Sequence, residues 1–152
     1  MLKCLNRNKQ IYLLFKKSNK MTKTNIELAQ SIYDYFNQGN NQAVFDILAD
    51  DVTYVVPGSP GVPYAGTFNG KKEVGGFYQL LMETLQYTSF DITSFTPDGD
   101  RVIVQGLFGG IAKPTGKNFQ TDWIMIWTFN NGKVKHHQTF LDSYNIATAC
   151  RK

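Results

Sequence analysis

The stretch DWIMIWTFNNGKVKHHQTFLDSY, residues 122–144, decides the fold. Its first part alternates. Trp123, Met125 and Trp127 fall on one face of an extended chain, and Asp122, Ile124 and Ile126 on the other. Asn131-Gly132 then interrupts the run with a pair that tight hairpins favour, because both residues tolerate positive φ. Alternation resumes with Lys135, His137 and Thr139 on one face and His136 and Gln138 on the other. Two antiparallel strands are therefore expected over Asn118–Phe129 and Lys133–Tyr144. Loop length sets which residues stand opposite one another. A two-residue loop places His137 opposite Ile126. A three-residue loop starting at Asn130 places it opposite Met125, and Thr139 opposite Trp123. One residue of slip exchanges the faces.

Working outward, Tyr87–Phe95 and Arg101–Gly110 also alternate, joined by a turn at Asp98-Gly99. The first half of the chain has helical spacing instead. Thr24 and Glu27 form a capping-box pair, and Ala29, Ile32, Tyr33 and Phe36 share a face that Gly39 stops. A short second helix carries Val44, Ile47 and Leu48, with Asp50-Asp51 as its end. Val52–Val56 is a β-branched strand closed by Pro57-Gly58. Residues 57–70, with three prolines and four glycines, read as an irregular loop. A third helix over 71–85 places Val74, Phe77, Tyr78, Leu81 and Leu85 in one stripe. The order α-α-β-α-β-β-β-β makes residues 24–150 one α+β domain, since the sheet is the only large surface on which three apolar helix stripes can be buried.

Composition narrows the classes. Of the 152 residues 42% are hydrophobic and 14% aromatic, enough to fill a core and line a cavity as well. The net charge of +4 is misleading. Lys3, Arg7, Lys9, Lys16, Lys17 and Lys20 carry six of the sixteen bases, leaving ten against twelve acids from residue 21 onward. Residues 1–23 read as a basic, disordered N-terminal extension, or as residues ahead of a start at Met21. The acidic remainder excludes a nucleic-acid stripe. Ile11–Phe15 is too short for a signal core or a membrane span. Cys4 and Cys150, with no signal peptide, suggest no disulfide framework and a cytoplasmic location. No metal-ligand spacing or phosphate-binding glycine motif is present, so no metal or cofactor is expected.

Several segments resemble the SnoaL-like family of the ketosteroid isomerase and nuclear transport factor 2-like superfamily. They are Asn37-Gln38-Gly39 followed by Leu48–Tyr54, then Val56-Pro57-Gly58 with Ala65–Lys71, and Asn130–Val134 with Phe140-Leu141-Asp142. The resemblance implies a cone-shaped domain, with a strongly curved, mainly antiparallel sheet around a hydrophobic pocket. It also implies a homodimer. Steroid isomerases of this superfamily use an aspartate where this chain has Val56 and a tyrosine where it has Ile32. The polyketide cyclases use a histidine and an aspartate where it has Met125 and Thr139. Tyr33 is adjacent to Ile32, but about 100° of helix rotation turns it away.

Read from the residues, the pocket wall takes Trp123, Met125, Trp127, His137 and Thr139, with Tyr33 and Tyr54 as further lining candidates. His137 is its titratable ring, a candidate acid or base. Asp142 is either a rim acid or a brace for the last turn, and Asp122 faces away. Two functions follow. One is a cofactor-independent isomerase, cyclase or hydratase for a hydrophobic small molecule. The other is a non-catalytic binding or dimerising module.

Overall fold

The computed structural model describes residues 23–152. The expected extension over 1–23 lies, except for Lys23, outside the described residues. The elements are α1 (Asn25–Asn37), α2 (Asn41–Ile47), β1 (Leu48–Val56), β2 (Gly66–Asn69), α3 (Gly70–Thr84), β3 (Leu85–Asp98), β4 (Arg101–Ala112), β5 (Lys117–Asn130), β6 (Lys133–Leu141) and α4 (Ser143–Cys150).

Local chemistry accounts for most of these boundaries. The Glu27 amide donates to Thr24 Oγ1 at 3.3 Å and Thr24 N–H returns a bond to Glu27 Oε2 at 2.7 Å, closing the capping box of α1. Gly39, at φ 68°, ends that helix in the left-handed region. Asn131 (φ 49°) and Gly132 (φ 72°) make the tight β5–β6 turn. Three elements depart from the expected pattern. Leu48 turns extended directly after α2, so Asp50 and Asp51 belong to β1 and meet Lys71 and Lys135 there. The loop after Pro57 contains β2, which pairs with β1; its short, mostly exposed run has no alternation to reveal it. Residues 143–150 are helical, because Asp142 caps them.

The six strands are ordered β2-β1-β6-β5-β4-β3. Only β1 and β6 run parallel; the other neighbours are antiparallel. The four helices pack on this open sheet, with α1 against β3 and β4, α3 against β1 and β2, and α4 against β4 and β5. The core between them includes Ile32, Val52, Val74, Val102 and Val104, all fully buried. No helix among the described residues is long and apolar enough to cross a membrane.

The β5–β6 register matches neither expected loop. Asn130 pairs with Lys133 and Phe129 with Val134, but Thr128 pairs with His136. Lys135 is the extra residue, a bulge that shifts all later pairs by one. His137 therefore stands opposite Trp127, and Thr139 opposite Met125. Both keep the face assigned to them, because the one-residue bulge reverses the parity that the two-residue turn sets and returns His137 and Thr139 to the face of Trp127 and Met125.

Where the sheet bends, Trp123 lies across Gly106. A Cβ there would sit 2.2 Å from the Asp91 carbonyl oxygen and 2.3 Å from Trp123 Cζ2. Neither backbone nor indole can withdraw cheaply from a packed core. Gly106→Ala is expected to lower unfolding stability by about 1–3 kcal/mol. Urea unfolding measures this, and an unchanged midpoint would show that the sheet does not depend on this close approach.

Candidate functional site

A cavity of about 690 Å³ opens between the helices and the concave face of the sheet. Tyr33 and Phe36 of α1, Phe45 of α2, and Phe77, Tyr78 and Leu81 of α3 form one wall. Phe90, Phe108, Met125, Trp127, His137 and Thr139 form the sheet side, and Val56 and Tyr64 close the end of β1. Among the described residues, no Asp, Glu, Lys or Arg lines it.

His137 is placed by β6 and by the bulge before it. It is 3% exposed, with ring centroids 4.1 Å from Trp127 and 4.4 Å from Tyr54. Neither ring nitrogen has a hydrogen-bond partner among the described residues. Burial between two aromatic rings disfavours the imidazolium, and His136 on the same strand adds repulsion. Together they pull its pKa down to about 3. The ring is therefore neutral at physiological pH, with one nitrogen donating and the other accepting.

Tyr33 is the second polar group. Trp127 Nε1–H donates to its oxygen at 2.9 Å, and its own proton points to Met125 Sδ at 3.4 Å. A thioether is a weak acceptor, so that proton is easily offered to something better. Burial raises the Tyr33 pKa well above its usual value and keeps the hydroxyl protonated.

Five of the eight residues singled out from the sequence thus meet on the cavity wall: Tyr33, Met125, Trp127, His137 and Thr139. Three do not line it. Trp123 is buried against the rings of Tyr33 and Phe90, at 6.1 and 5.0 Å. Tyr54 stands behind the wall, supporting His137, with its hydroxyl 3.3 Å from that of Tyr78. Asp142 is exposed; its Oδ1 accepts from the Asn145 amide at 3.1 Å, so it braces the turn into α4. Ile32 is buried in the core, and Tyr33, one step along, is the residue that reaches the cavity.

Tyr64, Tyr78, Phe90 and Phe108 are lining residues that the sequence reading passed over. Tyr78 carried a signal, its place in the α3 stripe, but a stripe does not separate core from cavity. Tyr64 carried none, since it sits in a loop without period. Among the described residues, no group of three His, Cys, Asp or Glu side chains could hold a metal ion.

An α+β layer of this topology, with a cavity under the concave face, is a nuclear transport factor 2-like fold. Residues 29–137 match the SnoaL-like domain, so the chain belongs to that family. A nuclear transport factor 2-like protein from Burkholderia xenovorans LB400 is 25% identical, with a TM-score of 0.76 over 86% of this chain and 99% of that one. A second, from Burkholderia thailandensis E264, is 24% identical, with a TM-score of 0.77 over the same shares. TerC co-crystallized with polyporic acid is 22% identical, with a TM-score of 0.74 over 84% of this chain and 98% of that one. No curated protein matches the chain.

The sign of the pH effect follows from the histidine. Its unfolded value is 6.5 and its folded value about 3, so below pH 6.5 the unfolded chain takes up a proton that the folded chain refuses. The stability tied to the neutral ring is complete above pH 6.5 and is lost as the pH falls toward 3. Thermal unfolding should therefore decline more steeply between pH 6.5 and 4 for the parent chain than for His137→Leu. Parallel slopes would mean that His137 is solvated or paired in the folded chain.

Proposed function

We propose that the chain binds an uncharged, hydrophobic, aromatic-sized small molecule, with the neutral His137 imidazole as its polar anchor. The observation that carries this reading is a largely aromatic and aliphatic wall, polar at Asn37, Asn41 and Thr139, with no charged residue among those described, and an imidazole with two unpaired nitrogens. An ionised ligand would lose its hydration and meet no counter-charge there. A neutral one exchanges water for aromatic surface, and its oxygen or nitrogen meets the imidazole.

Turnover is the second reading: an isomerase, cyclase or hydratase without cofactor. Tyr33 favours it, because its proton is held only by the weak thioether acceptor of Met125 and can be transferred to a ligand carbonyl. Such chemistry also needs a base, and an imidazole held at about 3 is a poor one near neutral pH. Binding therefore ranks first.

Native mass spectrometry of the full chain tests both. With 4-phenylphenol a one-to-one complex is expected. Biphenyl-4-carboxylate has nearly the same shape, and its binding should be at least about 100-fold weaker, because its charge must be buried unpaired. Equal binding of the two would overturn the reading. Recovery of 4-phenylphenol with unchanged mass and unchanged chromatographic retention fits binding alone, and a change in either moves the assignment to turnover.

We also propose a homodimer formed through the outer face of the sheet. Ile124 and Phe140 are cross-strand neighbours there, 37% and 47% exposed, and Ile103 pairs with Ile126 beside them. An apolar patch on a sheet is a natural place for a self-complementary contact. Light scattering should give twice the chain mass for the parent and the single-chain mass for Ile124→Lys. A monomeric parent removes the proposal.

A further inference from the structure

Tyr64 lines the cavity at a distance from the His137 anchor in the chain of ring contacts. It lies in the Pro- and Gly-rich segment between β1 and β2, a poor place for a large aromatic side chain unless it has somewhere to go. The ring goes inward. Tyr64 is 3% exposed, lines the cavity, and packs edge-on to Phe77 at 6.3 Å. Its hydroxyl is buried without a hydrogen-bond partner among the described residues. Only three side chains there share that condition, and Trp123, the other besides His137, is not on the cavity wall.

Tyr64 and His137 are separate stations on that wall. The ring contacts between them run from His137 to Tyr54 at 4.4 Å, Tyr54 to Phe77 at 6.0 Å and Phe77 to Tyr64 at 6.3 Å. Tyr64 packs against Phe77 of α3, whereas His137 sits against Trp127 and β1. A buried polar group without a partner is costly, and two on one apolar wall define two fixed points of recognition. Tyr33 and Tyr78 differ from them, since their hydroxyls are already engaged inside the protein.

We infer that Tyr64 is a specificity-determining residue, and that the cavity selects uncharged molecules carrying two oxygen functions set well apart on an aromatic frame, one for His137 and one for the Tyr64 hydroxyl. This rests on the binding reading above. The hydroxyl remains protonated, because burial raises its pKa. It can donate to a carbonyl or ether oxygen, and it can accept from a phenol.

The test compares 4-phenylphenol, with one oxygen, and 4,4′-dihydroxybiphenyl, with two, by titrating the full chain and following tryptophan fluorescence, since Trp127 lines the cavity. The diol should bind about tenfold more tightly, beyond the statistical advantage of its two equivalent ends. Tyr64→Phe keeps the ring and removes the hydroxyl. It should abolish the diol's advantage and leave 4-phenylphenol affinity within about twofold. It should also melt no lower than the parent, because the oxygen lost was unpaired. A diol advantage that survives Tyr64→Phe overturns the assignment, and so does a clear drop in melting temperature, which would reveal a structural bond. If neither biphenyl binds, the binding reading itself fails. If both bind equally to the parent, that reading stands and the two-point inference fails.

Discussion

Between the Phe129–Val134 and Thr128–His136 pairs, β6 holds one residue more than β5, and that residue, Lys135, governs the concave face of the sheet. Side chains alternate strictly along a strand, so a single insertion exchanges inside for outside beyond it. Val134 points inward before the bulge; His137 and Thr139 point inward after it. In an unbroken ladder from the same turn, His136 and Gln138 would face the helices in place of His137 and Thr139. Lys135 itself, displaced outward, meets Asp51 of β1. An exposed ion pair of this kind contributes little stability, so the bulge is held chiefly by the burial of the residues on either side.

The environment delivered to His137 is defined by what is lacking around it. Trp127 and Tyr54 pack against it and, among the described residues, no counter-charge stands on the wall, so the imidazole stays neutral. The same low polarity keeps Tyr33, Tyr64 and Tyr78 protonated. All four groups are then hydrogen-bonding devices rather than charge carriers. A site of this kind recognises dipoles and shape. It is badly equipped to stabilise an ion, and the absence of carboxylates from its walls removes the usual partner with which a histidine is made basic.

This arrangement shows how far a fold constrains chemistry. Val56, Met125 and Thr139 stand at positions that resemble those of acid–base residues in related isomerases and cyclases, and all three line the cavity here. Here those positions carry apolar or hydroxyl side chains, which cannot do acid–base work near neutral pH. Function therefore has to be argued from the groups actually present, and membership of the SnoaL-like family sets the architecture rather than the reaction.

The hairpin 122–144, the capping box of α1 and the stripe of α3 were legible as residues in a row, because each depends on a local period or on a bond between near neighbours. They sufficed for the α+β class and for the face shared by Met125, Trp127, His137 and Thr139. Three things were beyond such reading. The bulge at Lys135 leaves no mark in an alternating pattern. Tyr64 has no neighbours in sequence that predict its direction. Tyr33 was legible as a lining candidate, but its bonds to Trp127 and Met125 join residues more than ninety positions apart. Each of these is settled by contacts between residues far apart in the chain, whose packing energy outweighs local preference, and they are the features that turn a half-buried sheet face into a cavity with two polar stations.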